Sequence, residues 1–278
     1  MIIEPQRTYV LELLTALGAA ADGFILAGAQ AMKFTLTSSR ATKDFDFVLD
    51  VVLLRRLNMP LAETLQSLGY VALPEAQYFQ FEKQIPGSPE VMRVEFMAAE
   101  EYQHKGDFRV AVGDKLHARA CAGGRIVLAE SDYYEIKGVL PDGKPGTARV
   151  RVTRPNALVM MKCLALDDRH RNLRGPEHYE HDREEARTHA VDIVAILAAQ
   201  TDLGKFRVGF FRQFEADSAL RDRTFQIMKD YFGDENKPGL LLYEEYLRNK
   251  EISGETERSD IRYELRRAQK LVMHVIPD

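Results

Sequence analysis

The chain has 278 residues, a net charge of −4, 45% hydrophobic and 29% charged residues. This composition suits one large or two ordinary globular domains and gives no overall basic signal, so binding to a polyanion would need a local patch. Two cysteines without a CxxC motif, no signal-peptide pattern and no apolar run of about 18–20 residues predict a cytoplasmic protein that does not enter a membrane.

The first half of the chain alternates between helical and strand patterns. The spacing predicts a helix over "RTYVLELLTALGAA" that ends at Gly18, a buried strand in "GFILAGA", and a helix that begins in "AQAMKFTL". The alternating "DFDFVLD" predicts a strand, and "VVLLRRLNMPLAETLQSLGY" predicts a helix that Pro60 breaks or restarts. The segments "YFQFEKQ" and "VMRVEFM" predict two further strands joined by a turn in "IPGSPE".

The second half changes from strands to helices. Residues 108–154 are β-rich with glycine turns, and Pro155 suits the first turn of a helix. Helices are then predicted in "NALVMMKCLALDDR", "REEARTHAVDIVAILAA", "KFRVGFFRQFEADSALRDRTFQIMKDYF" and "SDIRYELRRAQKLVM", with an exposed loop in "HRNLRGPEHYEHDRE". We therefore expect an α+β fold, with a mixed β-sheet and flanking helices in residues 1–152 and a C-terminal helical domain in residues 153–278.

Two acidic residues, Asp44 and Asp46, lie two positions apart in a predicted strand and so point the same way. Like charges side by side are costly without a positive partner. Gly28 at the preceding strand end, before a helix, predicts a phosphate cradle, and Glu95 lies on a strand that can pair beside Asp46. Three such carboxylates can hold one or two Mg²⁺ ions, with Mn²⁺ as the alternative, whereas the plainer interpretation is an exposed polar strand edge.

This order of motifs resembles the nucleotidyltransferase superfamily with a polymerase-β-like core: a small-residue turn, an Asp-x-Asp strand and a later third acid. Within it, the chain is most similar to AbiEii-type proteins of bacterial type IV toxin–antitoxin systems, which read "GG…R.ST.D.DF" and then "K..AL..R…KD..D". The matching segments here are Gly28, "SSRATKDFDF", "MMKCLALDDR" and "RTHAVDIVAIL", between about residues 20 and 200. The resemblance implies a nucleotidyltransferase-like mixed sheet.

The resemblance also implies roles for individual residues. It makes Asp44, Asp46 and Glu95 the metal ligands and catalytic acids, and it places Gly28, Ala29, Arg40 and Lys162 at nucleotide phosphates, with Lys162 and Asp192 as catalytic residues of the helical part. Ala29 stands where the family has Gly or Ser, and Thr188 and His189 replace its Lys and first Asp.

Most of these residues also have structural interpretations. Gly28 can serve only tight packing, and Arg40 can be a surface charge. The stem of Lys162 can cover the core, and Asp192, in an apolar helix, can pair with Arg169 or Lys162.

The function implied by the resemblance is transfer of a nucleoside monophosphate from an NTP to an acceptor hydroxyl. The implied acceptor is an RNA end such as tRNA, or a protein, and the implied partner is an antitoxin protein. Two alternatives remain open: a nucleotide-binding or regulatory module without transfer activity, and a small-molecule (antibiotic) nucleotidyltransferase. Separately, Arg262, Arg266, Arg267 and Lys270 lie near one side of a predicted helix, either as a solvated face or as a phosphate-contacting patch.

Overall fold

The computed structural model describes residues 2–36, 42–73, 76, 78–102, 109–113, 116–171, 175–252 and 260–277. The chain divides into two compact units, Met1–Arg154 and Pro155–Asp278. The boundary expected from the sequence lies two residues before this division. Within the described ranges, no helix combines the length and apolar character that crossing a membrane requires.

The first unit combines helices with strands, as expected. Its elements in chain order are α1 (Gln6–Leu17), β1 (Phe24–Leu26), α2 (Gly28–Thr35), β2 (Asp44–Leu49), α3 (Val51–Leu57), α4 (Leu61–Ser67), β3 (Val71–Ala72), β4 (Gln80–Gln84), β5 (Val91–Ala99), β6 (Arg109–Gly113), β7 (Leu116–Cys121), α5 (Gly124–Ala129), β8 (Ser131–Val139) and β9 (Pro145–Thr153). The predicted α+β class with a mixed sheet is confirmed.

The strands of the described residues form one mixed sheet in the order β3-β4-β5-β2-β1-β9-β8. The pairs β2–β5 and β1–β9 are parallel, whereas β1–β2, β4–β5 and β8–β9 are antiparallel. The last residues of β5 pair in parallel with β7, which in turn pairs with β6. The sheet therefore brings strands from both halves of this unit to the sides of β2.

The centre of the sheet is built on aromatic side chains that alternate with polar ones. Phe45 and Phe47 of β2 are fully buried. The ring of Phe24 meets those of Phe47 and Phe96 edge-on, with centroids 5.7 and 5.8 Å apart. Because side chains alternate along a strand, the acidic residues of β2 project from the opposite face.

The second unit is helical throughout its described residues. Its helices are α6 (Pro155–His170), α7 (Tyr179–Ala198), α8 (Leu203–Arg212), α9 (Ser218–Phe232), α10 (Pro238–Ile252) and α11 (Ile261–His274). Helices α6 and α7 are joined by two buried ion pairs, Lys162–Asp192 and Arg169–Asp182. These pairs tie α6 to α7 within the second unit.

Three details of the sequence-based prediction were wrong. The single helix expected over residues 205–232 is two helices, because Asp217 accepts a hydrogen bond from Leu220 N (2.9 Å) and caps a new start. Helix α7 begins at Tyr179, inside the expected loop. The negative charges of Glu180 and Asp182 in its first turn interact favourably with the positive end of the helix dipole. Helices α5 and α10 and strand β3 were not predicted.

Candidate active site

The turn between β1 and α2 is shaped around Asp46. Gly28 has a φ of +59°, in the left-handed region that favours glycine. A Cβ atom on Gly28 would lie 1.8 Å from Asp46 Oδ2 and 2.8 Å from its Cγ. The backbone N–H of Ala27 donates to the carbonyl of Asp46 at 2.8 Å. Glycine at this position therefore lets the helix start approach the Asp46 carboxylate.

Helix α2 starts at this point with backbone groups that an anion can use. The first N–H groups of an α-helix have no carbonyl of the same helix to bind, and its dipole favours negative charge there. Ala29 and Gln30 are buried, so Gly28 is the partly exposed residue at the start of this turn. Gln30 donates through Nε2 to the carbonyl of Thr42 at 3.0 Å and so ties the first turn of α2 to the residues before β2.

The parallel pairing of β2 and β5 places the three predicted acids on neighbouring strands. Asp46 lies opposite Glu95, and Asp44 lies opposite Arg93. Phe45 and Val94 between them point to the buried side, so all four polar residues share one face. The expected pairing of the Glu95 strand beside Asp46 is thus present.

Arg93 supplies positive charge beside Asp44. Its Nε donates to Glu82 Oε1 on β4 at 2.9 Å. The hydrogen bond with Glu82, together with the negative charges of Glu82, Asp44 and Glu95, raises the pKa of Arg93 above its usual value. An arginine of the protein itself therefore offsets part of the like-charge repulsion between the acids.

Glu95 is held by two neighbours. Its Oε2 accepts a hydrogen bond from Gln80 Nε2 at 2.6 Å, and its Oε1 lies 3.8 Å from Arg119 Nη1 on β7. In this arrangement the described residues contain no group of three His, Cys, Asp or Glu side chains that could hold a metal ion. The oxygen donors of a Mg²⁺ site are present on one face, but Glu95 is turned to Gln80 and Arg119.

The predicted residues of the helical part pair with each other. Lys162 Nζ lies 2.7 Å from Asp192 Oδ2, and their side chains are 7% and 3% exposed. This is one of the two ion pairs that the sequence left open for Asp192; Arg169 instead contacts Asp182 at 3.3 Å. Both members of the Lys162–Asp192 pair belong to the second unit.

Three other positions of the expected motif have different outcomes. Thr188 and His189 lie on α7 and are partly exposed. Arg40 lies outside the described residues.

Sequence reasoning missed Gln80, Arg93 and Arg119 as part of this face. A signal for Arg93 was present, because it precedes Glu95 by two residues and so shares its side of the strand. Arg119 had no such signal, since nothing local in "LHARAC" indicates that β7 pairs with the end of β5.

The face as a whole combines a helix start, two arginines and the four carboxylates of Asp44, Asp46, Glu82 and Glu95. These groups can bind phosphate directly through N–H donors and arginine, and a divalent cation through carboxylate oxygens. No protein-family model and no curated protein matches this chain.

Proposed function

We propose that the first unit is a nucleotidyltransferase that uses Mg²⁺ or Mn²⁺ and an NTP. The observation that carries the proposal is the placement of Asp46, which packs against a left-handed glycine at a helix start and lies opposite Glu95 on a parallel strand. A phosphate cradle beside a set of acidic oxygens is what binding of a metal–triphosphate requires. The order of motifs in the sequence supports the same activity.

In the proposed reaction, an acceptor hydroxyl forms a bond to the α-phosphorus of the NTP. The bond from that phosphorus to the oxygen that bridges the α- and β-phosphates breaks, pyrophosphate leaves, and the proton of the hydroxyl passes to water. Asp44, Asp46 and Glu95 would hold the metal, which when bound supplies Lewis-acid activation and charge neutralisation. Glu95 would exchange its contacts with Gln80 and Arg119 for this role.

The chain's own groups carry the rest of the proposed chemistry. The N–H groups at the start of α2 bind phosphate oxygens, and Gly28 keeps a side chain out of the space between them and Asp46. Arg93 and Arg119 place positive charge where the triphosphate brings negative charge. Lys162 is ion-paired with Asp192 in the second unit, and its contact with phosphate and the catalytic role of both residues stay predictions.

The resemblance of the sequence extends the proposal to the acceptor and a partner. By that resemblance the acceptor is an RNA end such as tRNA or a protein side chain, and the chain acts as the toxin of a type IV toxin–antitoxin pair. Growth arrest on expression in bacteria, relieved by a co-expressed neighbouring gene product, tests the toxin assignment. Unimpaired growth at full expression of the folded protein contradicts it.

The activity is tested with each of the four α-labelled NTPs, Mg²⁺ and total tRNA. We expect label to enter RNA or protein with the native chain and not with Glu95→Gln or with Asp44→Asn combined with Asp46→Asn. Glu135→Gln is the matched control, because Glu135 is an exposed carboxylate on β8 of the same sheet. Label transfer that persists in the double variant contradicts the proposed site.

A second candidate function is nucleotide binding without transfer. It is favoured by the contacts of Glu95 with Gln80 and Arg119, which leave no three-carboxylate group among the residues that the structure covers. Calorimetric titration separates the two functions. NTP binding that depends on Asp46, without transfer to any acceptor, supports the second candidate, whereas the absence of NTP binding contradicts both.

A further inference from the structure

Helix α11 presents a strongly basic surface in a chain that is acidic overall. The helix carries Arg262, Arg266, Arg267 and Lys270 against one acidic residue, Glu264. With His274 neutral, its net charge is +3, whereas the whole chain carries −4. Positive charge concentrated in this way gives a local field that attracts polyanions even when the net charge does not.

The helix is held by its other side. Leu265, Ala268 and Val272 are buried, and α11 packs against α7, α9 and α10. The four cations are exposed. Because the apolar side is already covered within the second unit, the basic side is a fixed surface feature rather than half of a free amphipathic helix.

Two of these cations have no acidic partner among the residues that the structure describes. Arg267 lies 3.5 Å from Glu264, but Arg266 and Lys270 make no ion pair with any residue in the parts of the chain that the structure describes. Elsewhere on the second unit, exposed arginines such as Arg183 and Arg248 do contact carboxylates. Arg266 and Lys270 are therefore available to a ligand at little cost in broken contacts.

The same face forms a cavity with an aromatic ring in its wall. A surface cavity of about 520 Å³ lies along α11, and Leu203, at the start of α8, is one of its lining residues. Its lining includes Tyr263, which is 58% exposed, with Arg266, Arg267, Lys270 and His274. Spacings of three, four, seven and eleven residues from Tyr263 put these side chains on one helix face. The cavity thus combines a ring, apolar walls and cations.

We infer that the α11 face binds single-stranded nucleic acid. The cations contact the phosphodiester backbone, and Tyr263 stacks on a base, which is how sequence-tolerant single-strand sites combine charge with aromatic platforms. Arg266 and Lys270 repeat along the helix at about 6 Å, so one strand can engage both. This binding is separate from the proposed transfer reaction and needs neither NTP nor metal.

The inference predicts how strongly the affinity for nucleic acid depends on salt concentration. Binding through Arg266, Arg267 and Lys270 neutralises about three phosphates, so the logarithm of the affinity falls with the logarithm of salt concentration with a slope of about −2. Removing two of these cations brings the slope to about −0.7. Loss of the base stack in Tyr263→Ala weakens binding by roughly 5- to 150-fold, whereas Tyr263→Phe keeps the ring and the binding.

The test is titration of the full chain with fluorescein-labelled oligo(U) RNA and oligo(dT) DNA of twenty nucleotides, at several salt concentrations. Arg266→Gln with Lys270→Gln is compared with Lys137→Gln with Lys144→Gln, which removes two exposed charges from the β8–β9 hairpin. We expect only Arg266→Gln with Lys270→Gln to bind the oligonucleotides more weakly and with a shallower dependence on salt. Asp46→Asn is expected to bind the oligonucleotides normally, which keeps this inference distinct from the transferase proposal.

Three outcomes overturn the inference. One is equal loss in both charge variants, which would mean diffuse attraction. Another is an unchanged affinity in both Arg266→Gln with Lys270→Gln and Tyr263→Ala. The third is binding to vesicles of phosphatidylcholine with phosphatidylserine but to neither oligonucleotide, which would make α11 a membrane-surface contact. A higher affinity for oligo(U) RNA than for oligo(dT) DNA would identify RNA as the strand that α11 binds.

Discussion

The sharpest prediction concerns Gly28→Ala. An alanine Cβ there would lie 1.8 Å from Asp46 Oδ2, whereas real Cβ contacts are essentially never under 3.0 Å, so the carboxylate must move by about 1.2 Å or more. The left-handed backbone adds about 1–2 kcal/mol for any residue with a Cβ, and forcing Asp46 aside adds about 1–3 kcal/mol. The free energy of unfolding should therefore fall by about 2–5 kcal/mol.

Gly69→Ala is the matched control for this substitution. Gly69 has a φ of +83°, but a Cβ atom there would meet nothing within 4 Å. The free energy of unfolding of Gly69→Ala should fall only by the backbone contribution of about 1–2 kcal/mol. Urea unfolding of both variants measures the difference, and NTP titration at a temperature where both are folded measures its effect on the site. We expect weaker NTP binding in Gly28→Ala alone.

Two results would refute this reasoning at different points. Equal destabilisation of the two variants would mean that Asp46 does not pack against Gly28 as described. Greater destabilisation of Gly28→Ala with unchanged NTP affinity would leave the packing intact and contradict the proposed role of Asp46 in binding the nucleotide.

Three further predictions concern the second unit. Lys162→Met should lower the free energy of unfolding by about 3–5 kcal/mol, because it leaves Asp192 charged and buried, and adding Asp192→Leu should restore much of it in a double-mutant cycle. Asp217→Ala should cost about 1 kcal/mol in urea unfolding through loss of the α9 cap. Burial lowers the pKa of His170, so stability should fall as the pH drops below about 6.5, where the unfolded chain binds the proton more readily. His170→Gln should flatten that pH dependence in thermal melts; an unchanged slope would contradict it.

The acidic face shows which parts of the candidate site can be predicted from the sequence. The alternation in "DFDFVLD" and "VMRVEFM" is local, so it predicts correctly that Asp44, Asp46 and Glu95 leave their strands on the polar side. The pairing of Asp46 with Glu95 rather than with a neighbour depends on the register of strands far apart in the chain, which the wider burial of the sheet decides. Gln80 and Arg119 reach Glu95 only through that register.

In the helical part, the sequence predicts single helices better than the contacts between them. Helix α6 was predictable from its apolar spacing, and so was the need of Asp192 for a partner in an apolar helix. Whether Lys162 pairs with Asp192 depends on how α6 packs against α7. The sequence of either helix alone does not determine that packing. The break before α9 depends on one capping carboxylate, Asp217, within an otherwise continuous helical pattern.

The contacts of Glu95 have a consequence for how tightly the proposed site would bind a cation. If Glu95 leaves Gln80 and Arg119 in only a minority of molecules at any moment, the apparent dissociation constant rises in inverse proportion to that minority; a competent fraction of one in ten weakens binding about tenfold. A triphosphate that draws Arg119 to itself enlarges that fraction. Nucleotide and cation would then bind cooperatively, each making the chain more receptive to the other.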